Sequence, residues 1–171
     1  MMGGMAKRAT ATSAETREDL VEALLTASRA MVALAARSLA DLDPDVTLPQ
    51  YRALVVLAAR GPQRVVDISV ELGVTPSTAT RMCDRLVRKR LARRYRTVAD
   101  RREVRLTLTA AGRRLVENVT TRRREELVRI VDAMPVRWHR TVTSALTSLS
   151  DAVGEIPERE WWLGWSVPDE S

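Results

Sequence analysis

Between Arg81 and Arg105 the chain carries eleven arginine or lysine side chains, at positions 81, 85, 88, 89, 90, 93, 94, 96, 101, 102 and 105, against three carboxylates, Asp84, Asp100 and Glu103. This local surplus exceeds the +6 net charge of the whole 171-residue chain. Such a density of positive charge is the electrostatic footprint of a polyanionic partner; a solvated arginine-rich surface is the plainer alternative. Just before it stand Ser77, Thr78 and Thr80, with Arg81 at its edge. Hydroxyls can bond several kinds of base edge, and arginine can grip guanine through two parallel hydrogen bonds. Arg85 and Arg88, one and two helical turns further on, suit phosphates.

Other chemistries lack their parts. Cys83 is the only cysteine and His139 the only histidine, so neither an internal disulfide nor a cysteine-based zinc site can be assembled. There is no Ser/His/Asp grouping and no glycine-rich phosphate loop. No cofactor, no metal and no catalysis are expected. No apolar run approaches the roughly 18 residues of a membrane span, and no long apolar stretch opens the chain. The expectation is a cytoplasmic protein without a membrane partner.

The basic segment needs elements to present it. Thr75 is a good helix N-cap and Pro76 a good first residue, which predicts a helix to about Lys89. Ala79, Met82, Cys83 and Leu86 then share an inner face, and Ser77, Thr78, Thr80, Arg81, Asp84, Arg85 and Arg88 face outward. A shorter helix, about Val65 to Leu72, precedes it across Gly73. Thr47 and Gln50 form a capping box for a helix that Gly61-Pro62 ends near Arg60. From Ala92 the period changes to two: 93–96 and 104–108 read as strands, with 97–102 as a charged hairpin tip.

Long apolar-striped helices are expected on both sides. Leu20, Leu24, Ala27, Met31 and Leu34 repeat at spacings of three and four, and Leu115, Val119, Leu127, Ile130 and Val131 follow Gly112. Residues 15–46 and 109–153 therefore read as dimerisation helices around a lobe of residues 47–108. Residues 1–14 are expected to be a disordered tail, and 154–171 a C-terminal tail holding Trp161, Trp162 and Trp165. The fold class is mainly α with a small β-hairpin wing: a winged helix-turn-helix with N- and C-terminal dimerisation helices.

Residues 47–112 resemble the winged helix of the MarR (multiple antibiotic resistance) regulators. The resemblance rests on Leu48-Pro-Gln-Tyr51, Val74-Thr-Pro-Ser-Thr-Ala-Thr-Arg81, Asp84-Arg-Leu-Val87, Asp100-Arg-Arg102 and Leu106-Thr-Leu-Thr109 followed by Gly112. It extends through the flanking helices to about residues 15–153. The resemblance implies a homodimer on double-stranded DNA, a ligand-released repressor of transcription on a pseudo-palindromic operator. One recognition helix would serve each half-site and one wing each flanking minor groove. It makes Ser77, Thr78, Thr80 and Arg81 the readers, with Arg85 and Arg88 beside them. Arg96, Asp100, Arg101 and Arg102 belong to the wing. There the Asp braces one arginine while another enters the minor groove, and the sequence leaves open which of Arg101 and Arg102 does which. A small-molecule effector is implied as well, with Met31, Tyr51 and Leu54 as candidate pocket lining and core packing as their other role. Relatives that sense oxidants through one cysteine carry it in the first helix, whereas Cys83 sits on the apolar face of the recognition helix. One departure stands out: the family commonly has Gly where this chain has Arg90. A rival reading is a basic, sequence-indifferent DNA-coating or architectural protein, distinguished by its ratio of operator to random-DNA affinity.

Overall fold

The computed structural model describes residues 3–43, 45–96, 103–134 and 140–162, with side chains from residue 16 onward. Its elements are α1 (Gly3–Ala40), α2 (Leu48–Arg60), α3 (Val65–Glu71), α4 (Pro76–Arg88), β1 (Ala92–Arg96), β2 (Val104–Leu108), α5 (Ala110–Ala133) and α6 (Arg140–Ala152). Two compact units result, Met1–Arg37 and Ser38–Ser171.

The first unit is the body of α1. It starts at Gly3, where the sequence predicts disorder up to residue 14. Ala6, Lys7, Arg8, Ala9, Ala11 and Ala14 are strong helix formers, so extending the helix through them carries little intrinsic cost. Leu20, Val21, Leu25, Met31 and Val32 are exposed along it.

In the second unit α2 is the central helix. Thr47 Oγ1 accepts from the Gln50 amide while the Gln50 side chain accepts from the Thr47 amide, the expected capping box. Nine of its thirteen residues are buried, because α3, α4, α5 and β2 all pack on it. Leu54, Leu57, Ile68, Cys83, Leu86, Leu106, Val116 and Val119 form the fully buried centre. β1 and β2 pair antiparallel, with Ala92 opposite Leu108 and Arg96 opposite Val104. Gln63 adds a third, one-residue edge that the sequence did not reveal. It exchanges both backbone hydrogen bonds with Leu106, at 3.0 and 2.8 Å. Thr107 is 2% exposed, so β2 is covered on both faces at its α5 end instead of alternating to its close.

Three helices of this unit end in the same way. After α3, Gly73 takes φ +62° and the Val74 amide returns to the Ser69 carbonyl; after α6, Gly154 takes φ +71° and the Glu155 amide returns to Ser150. After α4 the left-handed position is Arg90, at φ +58°, with the Leu91 amide on the Leu86 carbonyl at 3.0 Å. An L-residue there crowds its Cβ against its own backbone, at a cost of about 1–2 kcal/mol. Arg90→Gly relieves that strain but frees the unfolded chain, which offsets roughly half of it. The variant is expected to be about 0.5–1 kcal/mol more stable in urea unfolding; an unchanged or lower midpoint would show that the Arg90 side chain contributes more than its strain.

Candidate nucleic-acid interface

α4 presents the expected face. Ala79, Met82, Cys83 and Leu86 are buried, while Ser77, Thr80, Arg81, Arg85 and Arg88 are exposed and Thr78 is half-exposed. Thr75 anchors its start by accepting from the Thr78 amide at 3.3 Å, and its hydroxyl lies 3.1 Å from that of Ser77 and 2.9 Å from that of Thr78. The Thr80 hydroxyl donates to the Pro76 carbonyl at 2.8 Å. With its proton engaged there, the exposed Thr80 oxygen is left to accept, as from a base amino group.

The structure sorts the basic cluster by partner. Arg94 of β1 is paired with Asp84 at 2.7 Å and Arg105 with Glu103 at 2.9 Å. Lys89 donates to the Asp45 carbonyl at 2.7 Å, and the Arg93 guanidinium lies 5.9 Å from the Tyr95 ring centre. Among the described residues, Arg81, Arg85, Arg88 and Arg96 meet no carboxylate. Free charge therefore collects along the outer edge of α4 and on the wing strand, and it costs nothing to redirect to a polyanion. The Asp84–Arg94 pair ties α4 to β1; as a half-exposed pair it contributes little stability but fixes relative placement. Beside α4 a cleft of about 360 Å³ runs between the start of α2 and the recognition face, lined by Thr47, Pro49, Gln50, Thr78, Arg81 and Arg85.

The wing stem is in place, with Arg96 exposed at the end of β1. Asp100, Arg101 and Arg102 lie outside the described residues. Of the expected pocket residues, Tyr51 and Leu54 are core, at 4% and 0% exposure, and Met31 is exposed on α1. Of the two roles given for Tyr51 and Leu54, the structure shows core packing, since α3, α4, α5 and β2 pack against their face of α2. Sequence reasoning missed Arg123, whose guanidinium lies 5.8 Å from the Tyr51 ring centre. It also missed a cavity of about 680 Å³ between α5 and residues 157–159, lined by Thr120, Arg123, Leu127, Val131 and Pro157. Its only legible signal was the polar step Thr120–Arg124 within the apolar stripe of α5.

Cys83 is fully buried, and burial pushes its thiol up to about 11, the nearby Arg94 charge opposing only in part. At pH 8 about one molecule in a thousand would then carry the reactive thiolate. Native protein is expected to resist thiol-modifying reagents at pH 8 and to react at once on unfolding; fast labelling of the native state would overturn the buried placement. Among the described residues there is no cluster of metal-ligating side chains, and no helix is long and apolar enough to cross a membrane.

Comparison with known proteins agrees with this geometry. Residues 46–104 match the MarR family. The uncharacterized HTH-type transcriptional regulator YhbI of Bacillus subtilis is 28% identical over 118 residues, 67% of this chain and 77% of YhbI. The crystal structure of RV1404 from Mycobacterium tuberculosis superposes with a TM-score of 0.77 at 41% identity, covering 82% of this chain and 95% of RV1404. A mutant of S. aureus MepR bound to an oligodeoxyribonucleotide superposes with a TM-score of 0.55 at 25% identity, covering 78% of this chain and 97% of MepR.

Proposed function

Because the chain belongs to the MarR family of DNA-binding transcription regulators, we propose that it acts as a homodimeric, ligand-released repressor on a pseudo-palindromic operator. The observation that carries the reading is the recognition face of α4: capped hydroxyls at its start, then three arginines without local partners, next to a hairpin stem that bears Arg96. Ser77, Thr78, Thr80 and Arg81 read bases in the major groove; Arg85 and Arg88 hold phosphates. Arg96 and the tip residues Asp100, Arg101 and Arg102 serve the adjacent minor groove, whose narrow A·T-rich form attracts arginine.

The homodimer is supported by apolar side chains that the chain leaves in water. Val128, Ile130 and Val131 on α5, Met134 just past its end, and Leu146 and Leu149 on α6 are 38–53% exposed, and α6 buries none of its residues. Exposed apolar side chains recurring along two helices are ordinarily covered by a partner. Residues 15–46 and 109–153 are thus the dimerisation arms, residues 47–108 the DNA-binding lobe, and the protein works in the cytoplasm without catalysis. Effector release draws on the 680 Å³ cavity, a volume suited to a small molecule.

Selection of duplexes from a random pool, followed by titration against the enriched duplex and bulk random DNA, tests the reading. The expected result is a dimer by sedimentation, a specificity ratio of about 10³ or more, and a log–log salt slope near −9 for on the order of ten phosphate contacts. Equal affinity for both DNAs would instead support a sequence-indifferent coating protein.

A further inference from the structure

The segment Gly154–Trp162 after α6 does not trail away; it folds back onto α2. Gly154 turns the chain, and the Arg60 guanidinium donates to its carbonyl at 3.0 Å while pairing with Glu71 of α3 at 3.1 Å. Glu155 receives both arms of the Arg52 guanidinium, at 2.8 and 2.5 Å. The Trp161 indole donates to the Ile156 carbonyl at 2.8 Å, closing the segment on itself. Glu158 meets Arg124 of α5 at 2.6 Å. The Trp162 amide donates to the Ala59 carbonyl at 3.3 Å, and its ring lies so close to Gly61 that a Cβ there would stand 2.8 Å from the indole.

These contacts meet at one corner. Gly61 leads through Pro62 to Gln63, which is hydrogen-bonded to Leu106 of the wing, and Glu71 closes the helix that packs on α4. The α2–α3 junction is the root of both DNA-reading parts. None of the α6 residues is buried, whereas the segment that follows it is ion-paired and hydrogen-bonded to α2. We propose that Gly154–Trp162 is a positioning strap: α5 is already packed into the DNA-reading lobe through Leu115, Val116 and Val119, and the strap seats α6 at a set angle against that lobe and so sets the distance between the two recognition helices of the dimer. Glu155 and Trp162 are its positioning residues. Neither belongs to the buried core, and only Trp161 packs at its edge. The strap also walls the cavity described above, through Pro157–Arg159, so a molecule seated there touches the same segment.

This inference rests on the dimeric, operator-binding reading, and the test separates the two. In the full chain a spin label is placed at Val70→Cys, a position 74% exposed, and the label-to-label distance in the dimer is measured by pulsed electron resonance. The affinity for the duplex that the parent enriches from a random pool is measured beside it. Glu155→Arg and Trp162→Ala are expected to broaden the distance distribution. If the seated arrangement falls to about a tenth of the population, affinity falls about tenfold. The thermal midpoint should scarcely move. Arg52→Glu combined with Glu155→Arg restores the pair with reversed charge and is expected to recover both the narrow distribution and the affinity, which a loss of packing alone would not do. A dimeric parent whose distribution and affinity are unchanged in both single variants overturns the strap while leaving the dimer standing; a monomeric parent overturns both.

Discussion

Replacing Gly112 with alanine is expected to abolish stable folding of the DNA-binding lobe. Gly112 lies in the first turn of α5, where a Cβ would stand 1.9 Å from the Leu91 carbonyl oxygen and 2.9 Å from its carbon. Those are backbone atoms and cannot rotate aside. Nor can the backbone easily retreat. The Leu91 carbonyl accepts from the Thr109 amide at 3.1 Å, the Thr109 hydroxyl donates to the Arg90 carbonyl at 2.6 Å, and the Leu91 amide is held by Leu86. The same hydroxyl caps α5 by accepting from the Gly112 amide at 3.1 Å. One methyl group would therefore disrupt the cap of α5, the end of α4 and the root of β1 together. Overpacking in a yielding core costs about 1–3 kcal/mol; here the cost should reach the upper end or beyond, a large share of a typical domain's stability. Loss of the cooperative thermal transition, or a midpoint lower by tens of degrees, is the expected readout. A variant melting within a few degrees of the parent would mean that α5 can lift from Leu91.

Arg81→Ala is expected to produce the largest loss in DNA recognition. Arg81 is exposed one turn and a half into α4, beyond the capped hydroxyls, and meets no carboxylate among the described residues. Its guanidinium is thus free to bond one guanine with both arms. Such a contact discriminates by about 1–3 kcal/mol per base pair, and the two-fold symmetry of the proposed dimer doubles it. Operator affinity should fall by roughly 30-fold to about 20,000-fold, while random-DNA affinity falls only by what one phosphate-range charge is worth. The preference at one base pair in each half-site should flatten. Arg88→Ala is the contrast: free and exposed two turns on, it should weaken binding to all sequences alike. A preference profile unchanged by Arg81→Ala would remove it from the readers.

The readable parts of this protein in its sequence were those governed by neighbours within a few residues. The Thr47–Gln50 box, the Thr75 cap, Pro76 at the helix start and Gly73 past the helix end each appear in the structure as the sequence implies. The apolar period of four residues on α4 put Cys83 inside and the arginines outside for the same reason. Local rules of φ, capping and period need no knowledge of what lies across the core.

Relations between distant residues were another matter. Gly112 was visible as a motif residue, but only the close approach of Leu91 explains it. Arg90 stood out in the sequence only as a residue where the resembled family commonly has Gly; Thr109, nineteen residues away, helps hold its left-handed turn by donating its hydroxyl to the Arg90 carbonyl. Which arginines are spent on carboxylates and which remain free depends on β1 lying beside α4. Tyr51 and Leu54 pack in the core because four elements lie against α2, and Trp162 meets α2 because that helix ends where the chain returns, its amide on the Ala59 carbonyl; Trp165 lies outside the described residues. The sequence by itself determined the elements and the chemistry of the reading face, since both are written in short-range spacing. The tertiary structure alone decided the close contacts, the charge partners and the path of the C-terminal segment, since these depend on residues brought together from far along the chain.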